Sequence, residues 1–356
     1  MYCVIMAGGS GTRFWPRSRE NRSKQFLAIL GDQTLIQNTI KRCRDLVEVN
    51  NIFIVAKKSQ KKLIETHLSS VPVENLIYEP DGKNTAPCIG LAALFVQKKD
   101  RDGIMVITPA DHLIRKVVRF HKTIRYAVEL AKIRSCLVTV GIYPTHPATG
   151  FGYIQIDSEV ENKEDIKSYR IKTFAEKPNL ETARRFLESG DFYWNSGIFI
   201  FKASVYLKMV EEFLPEVYDG LMEIKKSIGK SNYEEVLYRV YRQIRSISID
   251  YGIMEKTKNV CMVEGDFLWS DLGSWEQVFK LSSKDNNGNR IEGNAVLIDT
   301  KNSYIYSDKG VIAVIGLEDV VIVNDGGATL ICNRERAEDV KSIVNQLKHQ
   351  KFHKYI

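Results

Sequence analysis

Three glycines in four positions, Gly8, Gly9 and Gly11, stand directly after the short apolar run Tyr2-Cys3-Val4-Ile5-Met6 and ahead of two cations, Arg13 and Lys24. Glycine admits positive φ and lets bare backbone N–H groups close on a ligand, and a nest of such groups suits phosphate oxygens. The candidate anion-binding set is therefore Ala7, Gly8, Gly9, Ser10, Gly11, Thr12 and Arg13, with Lys24 adding charge. The run is not a Walker A loop, because Arg13 stands where Gly-Lys would follow, and no G-x-G-x-x-G is completed. On these glycines alone, an ordinary strand–turn–helix corner is as good a reading as phosphate binding.

Two carboxylates have the setting of site residues. Asp111, in Pro109-Ala110-Asp111-His112, ends an apolar run and is expected at the rim of a sheet, since an unpaired carboxylate in the core would be costly. Asp271, in Phe267-Leu268-Trp269-Ser270-Asp271-Leu272-Gly273-Ser274-Trp275, is a polar residue among bulky apolar ones. A helix cap or a structural salt bridge accounts for Asp111 equally well at this level.

The longer string Gly8-Gly9-Ser10-Gly11-Thr12-Arg13-Phe14-Trp15-Pro16, followed by Lys24-Gln25-Phe26, resembles the signature of sugar-nucleotide pyrophosphorylases, and Phe-Trp-Pro points to their mannose-1-phosphate guanylyltransferase branch. One departure is Ser23, where the branch usually has proline before the lysine. The resemblance covers nearly the whole chain. It implies that Arg13, Lys24, Asp111 and Asp271 are catalytic and that Asp111 and Asp271 share one Mg²⁺. Octahedral Mg²⁺ takes one or two protein carboxylates plus phosphate oxygens and waters, so the pair is a sufficient protein set.

Within Glu79-Pro80-Asp81-Gly82-Lys83-Asn84-Thr85-Ala86-Pro87, the resemblance assigns Asn84 and Thr85 to guanine. A carboxylate at Glu79 could in addition accept from the guanine N1–H and exocyclic amine, which adenine cannot satisfy. Asn84 or Thr85 could equally cap a helix starting near Cys88. Three further segments, Thr149 to Tyr153, Phe174 to Pro178 and Trp194 to Gly197, match the family's sugar-phosphate pocket in order. There Glu176 and Asn195 would take the hydroxyls, Lys177 the phosphate, and Gly152 would let the ring approach; Asp271 is expected close to the same pocket. Ser248 to Lys256 also matches and reads as structural.

Composition sets the limits. With 356 residues, 44% hydrophobic and 27% charged, the chain can bury one large core and a smaller one. The net charge of +7, from 51 basic against 44 acidic residues, points only faintly to anionic ligands and excludes a dedicated nucleic-acid binder. The basic run Arg115 to Arg134 is interleaved with apolar residues and reads as a solvated helix face. Six scattered cysteines without C-x-x-C or zinc spacing read as reduced buried thiols. His349 and His353 read as exposed surface. No signal peptide or transmembrane run is evident, so a soluble cytoplasmic protein is expected.

The elements that must hold these residues follow from periodicity. Strands at Tyr2–Met6, Asn51–Ala56, Leu76–Tyr78 and Ile104–Ile107 alternate with helical patterns around Leu35–Val47, Leu63–Leu68 and Cys88–Val96. This predicts an α/β fold with a doubly wound, mostly parallel sheet, and in such sheets ligands sit beyond the carboxyl ends of the strands. The glycine loop, Glu79 and Asp111 all fall there. Residues 135 to 284 mix strands and helices and read as an elaboration of the same domain. The polar stretch Lys284 to Arg290 marks a boundary, giving a nucleotidyltransferase domain at 1–285 and a C-terminal module at 286–356. That module shows short β runs at Ala295–Ile298, Ser303–Tyr306, Val311–Ile315, Val320–Val323 and Ala328–Cys332 before a final amphipathic helix. The resemblance implies that it is a left-handed β-helix fragment.

The expected activity is that of a Mg²⁺-dependent guanylyltransferase: mannose 1-phosphate attacks the α-phosphorus of GTP in line, giving GDP-mannose and pyrophosphate. The nearest rival keeps the fold and takes a heptose or another hexose 1-phosphate. A non-catalytic nucleotide-sugar sensor ranks lower, because Lys24, Asp111 and Asp271 are all present. A combined phosphate-sugar isomerase is not expected of a chain ending at Ile356. Neither nucleic acid nor membrane is an expected partner, and the sequence leaves the oligomeric state open, with a homodimer allowed.

Overall fold

Tyr2–Met6 is apolar on both faces and forms β1, which lies inside a nine-stranded sheet. It pairs in parallel with β2 (Ile52–Lys57) on one side and β4 (Ile104–Pro109) on the other, while β3 (Leu76–Glu79) adds to β2. The structure, a computed structural model, describes residues 1–9, 11–163 and 165–356. Continuous burial along β1, β2 and β4 is what a parallel sheet covered on both faces demands, and their Val/Ile content supplies it.

The sheet continues through β5 (Leu137–Ile142), β6 (Gly152–Lys163), β7 (Ile166–Glu176), β8 (Phe192–Lys202) and β9 (Val260–Glu264), in the order β3-β2-β1-β4-β8-β5-β9-β7-β6. β8 runs antiparallel to β4 and β5, and β7 antiparallel to β9 and β6, so those two strands oppose the direction shared by the other seven. The expected mostly parallel α/β sheet is therefore present, with antiparallel strands woven into its second half. Helix Thr85–Lys99 is buried on nearly every side, as a helix with no polar face must be, and Gly90 brings it against Leu221 of helix Pro215–Ser227.

By packing, the chain forms two compact units. One comprises Met1–Gly8, Thr39–Ala110 and Ile114–Trp269, and contains the nine-stranded sheet. The other comprises Gly9–Asn38, Asp111–Leu113 and Ser270–Ile356, so the glycine-loop segment packs with the C-terminal module. The reason is aromatic. Trp275 is fully buried, donates its indole N–H to the Trp15 carbonyl at 3.1 Å, meets the Phe14 ring edge-on at 5.0 Å and stacks on Tyr304 at 5.3 Å. Phe14, Trp15, Leu27, Phe279, Val321, Val340 and Val344 are among the residues of this core.

Within that unit, β10 (Arg290–Ile298), β11 (Tyr304–Ile315) and β12 (Val320–Asp325) are parallel, and β13 (Ala328–Asn333) returns antiparallel. The two runs expected at 303–306 and 311–315 belong to one strand, whose pairing with β10 shifts register between Glu292 and Asn294. The turn before β10 is held by Asp285, whose carboxylate accepts from the N–H groups of Asn287 and Asn289 at 2.9 and 2.8 Å. Helix Val340–His349 follows with Val340 and Val344 buried, and a short 3-10 turn, His353–Tyr355, comes after it. All six cysteines are free thiols. No helix among the described residues is long and apolar enough to cross a membrane.

Candidate active site

Gly11 adopts φ 63°, and a Cβ on it would stand 2.1 Å from the Lys24 Cβ. Any side chain here would meet both a backbone conformation costly for L-residues and a collision, so the glycine is what allows the loop to lie against Lys24. Lys24 in turn is buried, which is unusual for lysine and calls for partners. It has them: Nζ donates to Asp111 Oδ2 at 2.7 Å and to the Asp271 carbonyl oxygen at 2.6 Å.

Gly11, Arg13, Lys24, Asp111 and Asp271 line one cavity of about 380 Å³, joined by Thr12, Phe14, His112, Leu272, Gly273 and Lys341. The residues expected to be catalytic are thus gathered in one place. Burial tends to raise the Asp111 carboxyl, but the Lys24 ammonium and then His112 hold it below its ordinary value. Burial raises the Asp271 carboxyl, with Lys24 opposing and the Asp111 charge adding to the rise. Asp271 Oδ1 is buried without a hydrogen-bond partner, a costly state that a cation would relieve. Leu272 beside it sits at φ 47°, a region that bulky residues occupy only when the surrounding structure holds them there.

The donor set fits a hard divalent cation. Asp111 and Asp271 offer only carboxylate oxygens and interact electrostatically, while no cluster of three or more metal-ligating side chains exists among the described residues. A cation held here would draw its remaining ligands from substrate and water, the habit of Mg²⁺ at phosphate sites. Lys341 is a lining residue that sequence reasoning misses. It comes from the final helix, whose sequence speaks only through its apolar face, and nothing in a lone lysine distinguishes it from other surface cations.

Ala7 and Gly8 follow β1, where Ala7 N–H donates to the Val55 carbonyl at 2.7 Å and the Gly8 Cα faces Glu79. Gly9 has open space around it, and Gln25 Nε2 donates to its carbonyl at 3.2 Å. Ser10 lies outside the described residues. Glu79 ends β3 and is buried, accepting from the Tyr241 hydroxyl at 3.1 Å. Burial pushes its carboxyl up to about 7 against the lowering contributions of Tyr241, Cys88 and Lys57. Asn84 is the N-cap of helix Thr85–Lys99, its Oδ1 accepting from Thr85 N–H at 2.8 Å, and it sits at φ 68°. Thr85 Oγ1 accepts from Ile249 N–H at 2.8 Å, leaving its hydroxyl proton as its offer to a ligand.

The expected sugar residues form a second group. Gly152 pairs with Glu176 across β6 and β7, and a Cβ on Gly152 would stand 2.5 Å from Glu176 Oε2. The glycine makes room for that carboxylate. Lys177, at φ 49°, pairs with Glu176 at 2.5 Å; burial works against its charge, but Glu176 holds its pKa above the ordinary value. Asn195 donates from Nδ2 to Asp250 Oδ1 at 3.0 Å, and Asp250 is a polar partner within a segment that reads as structural in the sequence.

Comparison with known proteins follows the same lines. Residues 2–288 match the nucleotidyl transferase family model, and residues 293–347 match that of the MannoseP isomerase/GMP-like beta-helix domain. A mannose-1-phosphate guanylyltransferase of Escherichia coli is 37% identical over 97% of this chain and 75% of its own length. One from Klebsiella pneumoniae is 38% identical over 99% and 75%. This chain therefore spans about three quarters of the length of these relatives. A crystal structure from Thermus thermophilus, described as a mannose-1-phosphate geranyltransferase, superposes with a TM-score of 0.87 at 30% identity, covering 98% of this chain and 99% of that one. Nucleotidyl transferases work in general with a divalent metal. On a family match across most of its length and relatives aligned from end to end of it, the chain belongs to the nucleotidyl transferase family, in the branch of the mannose-1-phosphate guanylyltransferases.

Proposed function

We propose that the chain condenses GTP with mannose 1-phosphate to GDP-mannose and pyrophosphate. The observation that carries this reading is the convergence of Lys24, Asp111, Asp271 and Arg13 on one cavity beside the Gly11 turn. A phosphate oxygen of mannose 1-phosphate forms a bond to the α-phosphorus of GTP as the bond to the β-phosphate bridging oxygen breaks. Pyrophosphate leaves with the electron pair, so no covalent enzyme intermediate and no proton transfer to a side chain are required.

The work left to the protein is positioning and charge stabilisation. Arg13, the backbone N–H groups of the glycine turn and Lys341 hold the leaving pyrophosphate. Lys24 meets the negative charge that develops on the transferred phosphoryl group, a role suited to a fixed, buried ammonium. Asp111 and Asp271 would hold Mg²⁺, which would supply neutralisation of phosphate charge. Asn84 and Thr85 hold the guanine, with Glu79 close behind. Glu176, Asn195 and Lys177 receive the sugar 1-phosphate, with Gly152 leaving room for it.

The test is a matrix of four nucleoside triphosphates against mannose, glucose and heptose 1-phosphates, read by pyrophosphate release. The expected result is turnover with GTP and mannose 1-phosphate well above every other pair. Preference for another sugar moves the substrate assignment, and no turnover with any pair overturns the enzymatic reading.

A further inference from the structure

Asn195 is gripped at both ends of its amide. Thr139 Oγ1 donates to Oδ1 at 2.9 Å, and Nδ2 donates to Asp250 Oδ1 at 3.0 Å. The two contacts are not equivalent. A hydroxyl can donate or accept, and Thr139 Oγ1 has a second acceptor in the Ile198 carbonyl at 3.1 Å, so Thr139 tolerates either amide orientation. Gly197 N–H reaches Oδ1 only at 3.4 Å. The ionised Asp250 carboxylate accepts only, and at 3.0 Å against the long 3.4 Å contact from Gly197 N–H it is the stronger of the two contacts that turn Nδ2 toward Asp250. One Nδ2 hydrogen is left for a ligand.

Asp250 is itself held in place by backbone contacts. It opens a π-helical turn, Asp250–Met254, closed by Glu255 N–H on the Asp250 carbonyl at 3.0 Å; such turns recur at functional sites. Just before it, Ile249 N–H donates to Thr85 Oγ1 at 2.8 Å, Ile247 N–H to the Lys83 carbonyl at 3.1 Å, and Ala86 N–H to the Ile247 carbonyl at 3.1 Å. The segment carrying Asp250 is thus laced to the loop expected to hold the base. Its carboxyl stands near Glu176, whose cation is Lys177, and burial together with the Glu176 charge pushes it up to about 6. A half-buried carboxyl kept beside another carboxylate is unfavourable for stability alone.

We propose that Asp250 is a positioning residue for the sugar 1-phosphate: it orients the Asn195 amide so that a single N–H is offered to one hydroxyl of the sugar, and so sets which hydroxyl pattern is accepted. The inference rests on the functional reading above and deepens it by naming what governs sugar choice.

The experiment compares wild type, Asp250→Ala, Asp250→Asn, Asn195→Ala and the Asp250→Ala/Asn195→Ala double variant. Steady-state rates are taken with GTP and with mannose 1-phosphate or its 2-, 3-, 4- and 6-deoxy analogues. Loss of a hydrogen bond to a charged partner corresponds to roughly a ten- to hundredfold change. Asp250→Ala is expected to raise KM for mannose 1-phosphate by about tenfold while leaving KM for GTP unmoved, and to erase discrimination against one deoxy analogue only. Asp250→Asn, which keeps an acceptor oxygen in place, should restore most of the loss. The double variant should fare no worse than Asn195→Ala.

A brace without a positioning role would lower Tm and weaken all analogues equally, and that result overturns the inference. Should Asp250→Ala fail to fold, Asn195→Ala must still show the analogue-specific loss, and equal losses across analogues overturn the proposal. Wild type inactive on GTP and mannose 1-phosphate removes the functional reading and this inference with it. An active wild type whose analogue profile is unmoved in the variants removes this inference alone.

Discussion

Lys24 Nζ lies 2.7 Å from Asp111 Oδ2 and 2.6 Å from the Asp271 carbonyl oxygen, so one ammonium joins two segments far apart in sequence. The pair does two things. It offsets the cost of burying Lys24, and it fixes an ammonium in the wall of the cavity that Arg13 and Lys341 also line. Because Asp111 is 32% exposed while Lys24 is 7% exposed, the carboxylate is the partner free to take another ligand.

Lys24→Ala is therefore expected to lower kcat by about 10²-fold or more, since an ammonium facing developing charge acts chiefly in the transition state. Lys24→Arg should not restore the rate. A planar guanidinium cannot reproduce a compact, buried ammonium bonded at once to the Asp111 carboxylate and the Asp271 carbonyl. Single-turnover rates on variants whose circular dichroism matches wild type check this, and near wild-type turnover in either variant contradicts the role.

Much of this site is legible in the sequence, because its chemistry is carried by residue types that have few other uses at those places. Glycines after an apolar strand, a nearby lysine and a carboxylate at a strand end are local signals, and Gly11, Lys24 and Asp111 all line the cavity. What escapes are partners supplied across the fold. Tyr241 on Glu79, Asp250 on Asn195 and Lys341 in the cavity come from helices or turns whose local pattern records only an apolar face. The sequence reads Gly11 as part of an N–H nest and Gly152 as room for a sugar ring, and it does not reveal that a Cβ at these positions would meet Lys24 and Glu176.

Among the elements, β1, β2 and β4 are legible because they are buried on both faces and read as continuous apolar runs. β7 is not, since Ile166–Glu176 exposes Lys167, Lys172 and Thr173 and carries too many polar residues to stand out. The C-terminal runs at 303–306 and 311–315 are legible as β structure, but not as one strand, because only pairing with β10 makes them continuous.

Base selection gives the next prediction. Asn84 and Thr85 cap a helix and bond the backbone, and Glu79 is buried under Tyr241, so the residues expected at guanine are all tied to the scaffold. If the Glu79 carboxylate takes part in reading the base, Glu79→Gln should narrow the GTP-to-ATP ratio of kcat/KM by roughly ten- to a hundredfold. An unchanged ratio assigns the reading to Asn84, Thr85 and backbone groups. Competition between the two triphosphates in one reaction measures the ratio directly.

Glu79 also makes stability depend on pH. Its folded carboxyl is raised to about 7 from an ordinary 4.5, so between those values the folded chain binds more protons than the unfolded one. Stability from this group is therefore lost as pH rises through that window, by about 3 kcal/mol at most. Glu79→Gln keeps an acceptor for Tyr241 and has no proton to lose. Its urea midpoint relative to wild type should improve from pH 5 to pH 8, and a difference independent of pH would show that the wild-type carboxyl titrates normally.

The shared metal gives the sharpest test of the site. Asp111 and Asp271 line the same cavity, the Asp111 charge adds to the rise of the Asp271 carboxyl, and Asp271 Oδ1 has no hydrogen-bond partner. Asparagine keeps the shape of aspartate and removes the negative charge. Asp111→Asn and Asp271→Asn should each raise the Mg²⁺ concentration needed for half-maximal rate and lower the rate at saturation. Because both act on one ion, the double variant should lose less free energy of activation than the sum of the single losses. The competing account makes Asp271 a brace for the turn at Leu272. In that case its substitution would lower Tm, or raise KM for the sugar phosphate, without moving the Mg²⁺ titration. Rate measured against Mg²⁺ for wild type, both single variants and the double variant separates the two accounts. Additive losses with an unmoved midpoint for Asp271→Asn would place the cation on Asp111 alone.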